Sequence, residues 1–143
     1  MGTRYFALIF GIVYTLIGLM GLIPGLLTGP TTPLAVDILH GNLLGIFPVN
    51  IIHTLVHLIF GIWGILAYRS FDSARVFSRT AGVTFILLAI FGLIPGLNTL
   101  FGLAPLHGSD VWLHLVSGVV ALYFGLTART PVEAAAPPNP PVV

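Results

Sequence analysis

The chain has 143 residues, of which 57% are hydrophobic and 6% charged, with no cysteine and no lysine, and its mean hydropathy is +1.07. A soluble domain carries about 25% charged residues, so a soluble domain is excluded; the missing thiol also excludes disulfide scaffolds, thiol catalysis, thiolate metal sites, iron–sulfur clusters and thioether-attached haem, and the missing amine excludes Schiff-base chemistry, retinal attachment and a P-loop lysine. A net charge of +1 offers nucleic acid no basic surface, which leaves an integral membrane protein small enough to be one domain.

A helix crosses the hydrocarbon core with about 20 apolar residues, within a range of roughly 17 to 25. The first charge-free run is Tyr5 to Leu27. It is too long for a signal peptide, and no small-x-small cleavage site follows, so it reads as a retained span. Gly21-Leu-Ile-Pro24-Gly25 ends it, because proline cannot continue a helix interior and glycine admits positive φ. A broken helix offering carbonyls to an ion is the other use of such a turn, but no unwound polar stretch follows it. Next, Leu34-Ala-Val-Asp37-Ile-Leu-His40 reads as a short surface helix with Asp37 and His40 on one face, used for interfacial packing rather than metal binding. The second run is Pro48 to Tyr68 and carries His53 and His57. The third, Thr80 to Leu97, contains a second Gly92-Leu-Ile-Pro95-Gly96 turn. The fourth is Val111 to Ala128.

Helices are expected because backbone polar groups in lipid must be satisfied within the segment, and no run alternates in polarity as a barrel strand does. Residues 1–129 therefore read as a four-span membrane domain, with spans over about 5–27, 48–68, 78–97 and 109–128. The tail, residues 130–143, is rich in proline and reads as disordered, a solvated end rather than a docking segment.

The arginines set the topology. Arg4 precedes the first run, Arg69, Arg75 and Arg79 lie between the second and third, and Arg129 follows the fourth. The other two loops hold no arginine, so both termini and the middle connection are expected in the cytoplasm.

The chain also repeats itself. One offset lays Arg4 on Arg75, Phe6 on Phe77, Gly11 on Gly82 and the first Gly-Leu-Ile-Pro-Gly on the second; another lays Gly45 on Gly102, Pro48 on Pro105, His57 on His114 and Gly61 on Gly118. Each unit holds two spans, so the units point the same way, about an axis along the membrane normal. The expected fold is an all-α integral membrane protein, a four-transmembrane-helix bundle built from two parallel two-helix repeats.

Gly11 and Gly18 in the first span, Gly61 in the second, and Ser117, Gly118, Ala121 and Gly125 in the fourth are expected to let helices approach closely, within one chain or across a homodimer. Trp112, Tyr5 and Tyr68 suit the membrane interfaces. Tyr14, Thr15, Thr84 and Tyr123 read as isolated polar residues.

The ionisable groups concentrate near the outer ends. Asn50-x-x-His53-x-x-x-His57 in one unit corresponds to His107-x-x-Asp110-x-x-x-His114 in the other. At about 1.5 Å per residue, His57 lies roughly 13 Å along its helix from Pro48, and His114 at a matching depth. His53, His57, Asp110 and His114 are expected to face one another, with Asn50 and His107 as secondary members. Three uses compete. Neutral imidazoles can hydrogen-bond across helices, with Asp110 as an N-cap or acceptor. His57 and His114 can hold a haem iron or chlorophyll magnesiums, in a cavity lined by Gly61 and Gly118, or a His pair with a carboxylate can bind a divalent metal. A proton or ion relay is the third, but nothing polar continues it through the inner half.

Arg4-Tyr5-Phe6-Ala7, the two Gly-Leu-Ile-Pro-Gly turns, Gly45-Ile46-Phe47-Pro48-Val49-Asn50-x-x-His53-x-x-x-His57 and Pro105-Leu106-His107-Gly108-x-Asp110-x-Trp112-Leu113-His114 together resemble a family of small bacterial four-span membrane proteins catalogued as a domain of unknown function. The resemblance covers about residues 4 to 127. It implies no activity, supports the span count, and marks His53, His57, Asp110 and His114 as the family's polar positions. Members in phototrophic bacteria link it by association to pigment binding and to bacterial inner or thylakoid membranes.

The resulting expectation is a non-enzymatic accessory or structural subunit. Its expected partners are the lipid bilayer and a larger membrane complex or a second copy, with no nucleic acid. The alternative is a haem- or chlorophyll-binding protein using His57 and His114 as axial ligands. No nucleophile–base pair stands at motif spacing.

Overall fold

The computed structural model describes residues 2–29 and 32–128. Four α-helices dominate it: α1 Gly2–Gly21, α2 Ile51–Ala67, α3 Phe71–Leu93 and α4 Ser109–Thr127. Three of them, α1, α3 and α4, are long and apolar enough to cross a membrane, and α2 is an apolar helix of 17 residues.

Local chemistry explains the boundaries. Ser70 caps α3 by accepting from the Ser73 N–H at 3.1 Å, so α3 starts at Phe71 rather than near position 78. Arg75 and Arg79 therefore sit on its first turns, not in a loop, and only Tyr68–Ser70 connects α2 to α3. Pro48 belongs to a strand, and Asn50 starts α2 as its cap. The first Gly-Leu-Ile-Pro-Gly ends α1 at Gly21 and opens a 3-10 turn at Pro24–Leu26. Its counterpart ends α3 at Leu93, and there Gly96 adopts a φ of +87°. Arg129 and the proline-rich tail lie outside the described residues.

The connection between α1 and α2 is not purely irregular, which modifies the all-α expectation. Strands β1 Leu27–Thr28, β2 Gly41–Leu43 and β3 Phe47–Val49 form a small antiparallel sheet in that order. Gly41 lies against the Thr28 backbone, where any side chain would collide, and the β2–β3 hairpin turns through Leu44 and Gly45 at positive φ. Leu34–His40 is not the expected surface helix but an irregular stretch with Leu39 at a φ of 50°. It docks instead on the α3–α4 loop, where Ala35 and Val36 N–H groups donate to the Gly102 carbonyl at 2.9 and 3.2 Å. Tertiary hydrogen bonds to a neighbouring loop replace the local bonds of a helix.

Helices α1 and α2 pack antiparallel, with Gly11 against the backbone of Gly61 and Gly64, Gly18 against Leu58, and Gly21 against Thr54. Helices α3 and α4 pack the same way, with Gly82 against Leu122, Gly118 against Ile86 and Gly125 against Arg79. The two pairs meet through aromatic rings: Phe10 of α1 lies 5.6 Å from Phe77 and 5.5 Å from Phe85 of α3. Ala7, Ala74, Ala81 and Ala121 fill the remaining gaps of that core. At the end holding the short α2–α3 connection, Arg4 Nε donates to the Tyr68 carbonyl at 2.8 Å and Arg79 Nε to the Gly125 carbonyl at 2.9 Å. The sheet and the α3–α4 loop close the opposite end.

Polarity is distributed opposite to a water-soluble protein. Ile9, Leu16, Ile59, Val83, Leu87 and Val116 face outward, whereas Asn50, His53, His57, Asp110 and His114 are all at most 3% exposed.

Candidate functional site

The site lies just beneath the sheet and the α3–α4 loop, and Asn50 anchors it. Its Oδ1 accepts from the His53 N–H at 3.0 Å, which caps α2. Its Nδ2 donates to the Val36 carbonyl at 2.9 Å and to the Leu103 carbonyl at 2.7 Å. One buried amide thus joins the helix start to both loops above it.

His53 and His57 follow one helical turn apart, so both project from the same face of α2; their ring centroids are 4.5 Å apart. From α4, Asp110 and His114 face them. Asp110 Oδ2 is 3.2 Å from His114 Nδ1 and 3.7 Å from His53 Nε2. The His114 ring centroid lies 5.6 Å from that of His53 and 6.4 Å from that of His57. The four residues expected to converge are therefore together. One ring nitrogen from each of His53, His57 and His114 lies within 4.8 Å of the others.

Aromatic side chains wall the cluster. Phe85 stacks on His114 at 5.2 Å and 15°, and Tyr14 meets His57 edge-on at 5.2 Å. Tyr14 is not isolated: its hydroxyl donates to Ser117 Oγ at 2.8 Å. This contact joins α1 to α4, and no spacing within either segment signals it. The aromatic layer around Phe10, Phe77 and Phe85 closes the space below.

Three expectations need correction. Asp110 does not cap α4, because Gly108 is the cap residue, with a φ of 70° and no side-chain bond. Asp110 sits in the first turn instead and points into the cluster. His107 is not a member: it lies in the loop near His40, where burial and then His40 push its imidazole below the usual range. His40 itself pairs with Asp37 at 2.8 Å. Finally, Gly61 and Gly118 do not line a cavity, since each is pressed against a neighbouring helix, Gly61 on Thr15 and Gly118 on Ile86. The other expected packing positions, Gly11, Gly18, Ala121 and Gly125, lie in helix contacts, and Ser117 serves as the Tyr14 acceptor.

The cluster is chemically incomplete. Both ring nitrogens of His53 and His57, Nδ1 of His114, both oxygens of Asp110 and Oγ1 of Thr54 are buried with no hydrogen-bond partner. The Pro48 and Pro105 carbonyls lie beside His53, but not in bonding geometry. An unsatisfied buried polar group costs about 1–3 kcal/mol, and native interiors leave few of them. Seven of these atoms, those of the three histidines and Asp110, lie in one place and call for an ion or bound water, whereas Thr54 faces Gly21 of α1.

A macrocycle does not fit the same residues. His53 occupies the flank between His57 and His114, and the adjoining cavity is about 50 Å³, walled by Ile52, Val56, Leu88, Leu100, Ala104 and Leu106. Sites for larger ligands span roughly 300–1,000 Å³. Neither His57 nor His114 reaches the surface, at 2% and 1% exposure, so neither can hold a pigment lying outside the helices.

A family model described as a domain of unknown function, DUF4383, matches residues 4–127. The chain belongs to the DUF4383 family. The match begins at Arg4 and ends on the last residue of α4, so the DUF4383 unit contains the whole cluster and the loops above it. No curated protein and no solved structure matches the chain.

Proposed function

We propose that this DUF4383 protein is a four-span membrane protein acting as a non-enzymatic accessory or structural subunit through helix–helix and lipid contacts. The observation that carries the reading is the reversed polarity: aliphatic side chains outside on every helix, imidazoles and a carboxyl group inside. Lipid solvates the first and cannot solvate the second. Helix α2 has 17 residues, the lower end of the roughly 17–25 that span a bilayer.

Orientation follows from charge. Arg4, Arg69, Arg75 and Arg79 gather at the end where α2 turns into α3, while the sheet and the α3–α4 loop contain no arginine. The positive-inside rule then assigns the arginine end, with both termini, to the cytoplasm of a bacterial inner or thylakoid membrane. Trp112, 67% exposed near the other end, and Tyr5, 52% exposed near the arginine end, suit the two interfaces. Two like-oriented repeats are supported by matched contacts, since Gly11 and its counterpart Gly82 each seat a helix on its antiparallel neighbour.

The absence of native cysteine makes the test direct. In intact cells, an impermeant maleimide labels Ile38→Cys and spares Arg69→Cys. Labelling of both from the same side overturns the topology. Extraction in mild detergent is expected to recover the chain in a stoichiometric assembly; a lone monomer removes the subunit role.

A further inference from the structure

We propose that His53, His57 and His114 bind one divalent transition-metal ion of the zinc type, with Asp110 balancing its charge and orienting His114. The inference rests on the cluster alone and holds whether or not the protein acts as a subunit.

Three observations converge on it. The three imidazoles come from two helices and each offers a nitrogen within 4.8 Å of the others. Zinc–nitrogen bonds of about 2.0–2.1 Å need donor nitrogens roughly 3.4 Å apart, so small side-chain rotations close the site. Next, both ring nitrogens of His53 and of His57 are buried without partners, the state expected of ligands waiting for an ion rather than of a finished hydrogen-bond network. Finally, Asp110 Oδ2 lies 3.2 Å from His114 Nδ1. A carboxylate on one ring nitrogen of a ligating histidine fixes its tautomer and raises its basicity.

The donor set selects the ion class. With no thiolate in the chain, iron–sulfur chemistry lacks ligands, and magnesium and calcium would need several oxygens where one carboxyl group stands. Imidazole suits zinc, cobalt, nickel, copper(II) and iron(II). An ion held there ties α2 to α4, joining the two helix pairs beneath the loops that Asn50 pins down.

The test uses the full chain in detergent, stripped by chelator and titrated with cobalt(II) and zinc(II). One ion per chain is expected, with a cobalt ligand-field spectrum in the visible that zinc displaces. His57→Gln and His114→Gln are each expected to weaken binding at least about 100-fold, and Asp110→Asn about 10–100-fold. His40→Gln and His107→Gln are expected to leave it unchanged. Binding that survives His57→Gln and His114→Gln, or that disappears with His40→Gln, overturns the proposal. So does a wild-type protein that takes up no cobalt, in which buried water alone fills the cluster. If the cluster variants fail to fold, copper(II) bound to the wild-type chain decides: resonance splitting from three nitrogens supports the site, and splitting from one or none overturns it.

Discussion

Gly11→Leu is expected to prevent α1 from seating against α2. A Cβ at Gly11 would meet backbone atoms of Gly61, Gly64 and Ile65. Backbone cannot rotate away as a side chain can, so the helices must separate. Separation removes the close packing on which lipid-embedded helices depend in place of a hydrophobic drive. Inserting bulk into a packed core costs about 1–3 kcal/mol, and a backbone obstacle puts Gly11→Leu at or above the upper end. Gly25→Ala is the matched control, because nothing lies within 4 Å of the added carbon, and it is expected to stay within about 0.5 kcal/mol of the parent. Equilibrium unfolding in mixed micelles, followed by circular dichroism, measures both. Equal stability of the two variants would contradict the α1–α2 contact.

Asn50→Leu is expected to be nearly as damaging, for a polar rather than a steric reason. The change keeps the branched shape but removes the α2 cap, worth about 1 kcal/mol. It also strips the Val36 and Leu103 carbonyls of their shared donor, at about 1–3 kcal/mol for a fully buried group left unpaired. Both bonds are only part-buried, so the lower ends apply and the expected total is about 3 kcal/mol. Asn50→Ser, which keeps an acceptor for the His53 N–H but not the two donations, should recover roughly the 1 kcal/mol of the cap. Hydrogen exchange gives a local readout: amides in the first turn of α2 and the Ala35 and Val36 amides bound to Gly102 should lose protection together. Loss confined to α2 would mean that Asn50 does not hold the loops.

Both predictions turn on residues whose type was legible in the chain while their partners were not. Gly11 stood out as a small residue in an apolar run, and Asn50 as a polar residue ahead of another. Neither run says which backbone the glycine touches or which carbonyls the amide reaches. The same division explains the corrections. Residue Asp110 follows Gly108-Ser109 ahead of an apolar run, a local pattern that fits a cap equally well. It turns inward because His53 and His114 stand within reach, and His53 lies far away along the chain. His107 shares a repeat position with Asn50 yet lies in the loop near His40 of the longer first connection. The strands escaped notice because each has only two or three residues, too few for alternation to register.

Composition by itself determined the solvent: so few charges on so apolar a chain leave lipid as the environment, and charge-free runs mark four helices because hydrophobic length is a property of consecutive residues. Spacing by itself put His53 with His57, and Asp110 with His114, on single helix faces, because the helical period is local. Only the tertiary structure decided that these two faces meet, that Tyr14 and Phe85 wall them, and that Gly61 and Gly118 serve close packing rather than a cavity. Those outcomes depend on how separate helices dock, and docking is set by contacts between residues that no stretch of sequence holds side by side.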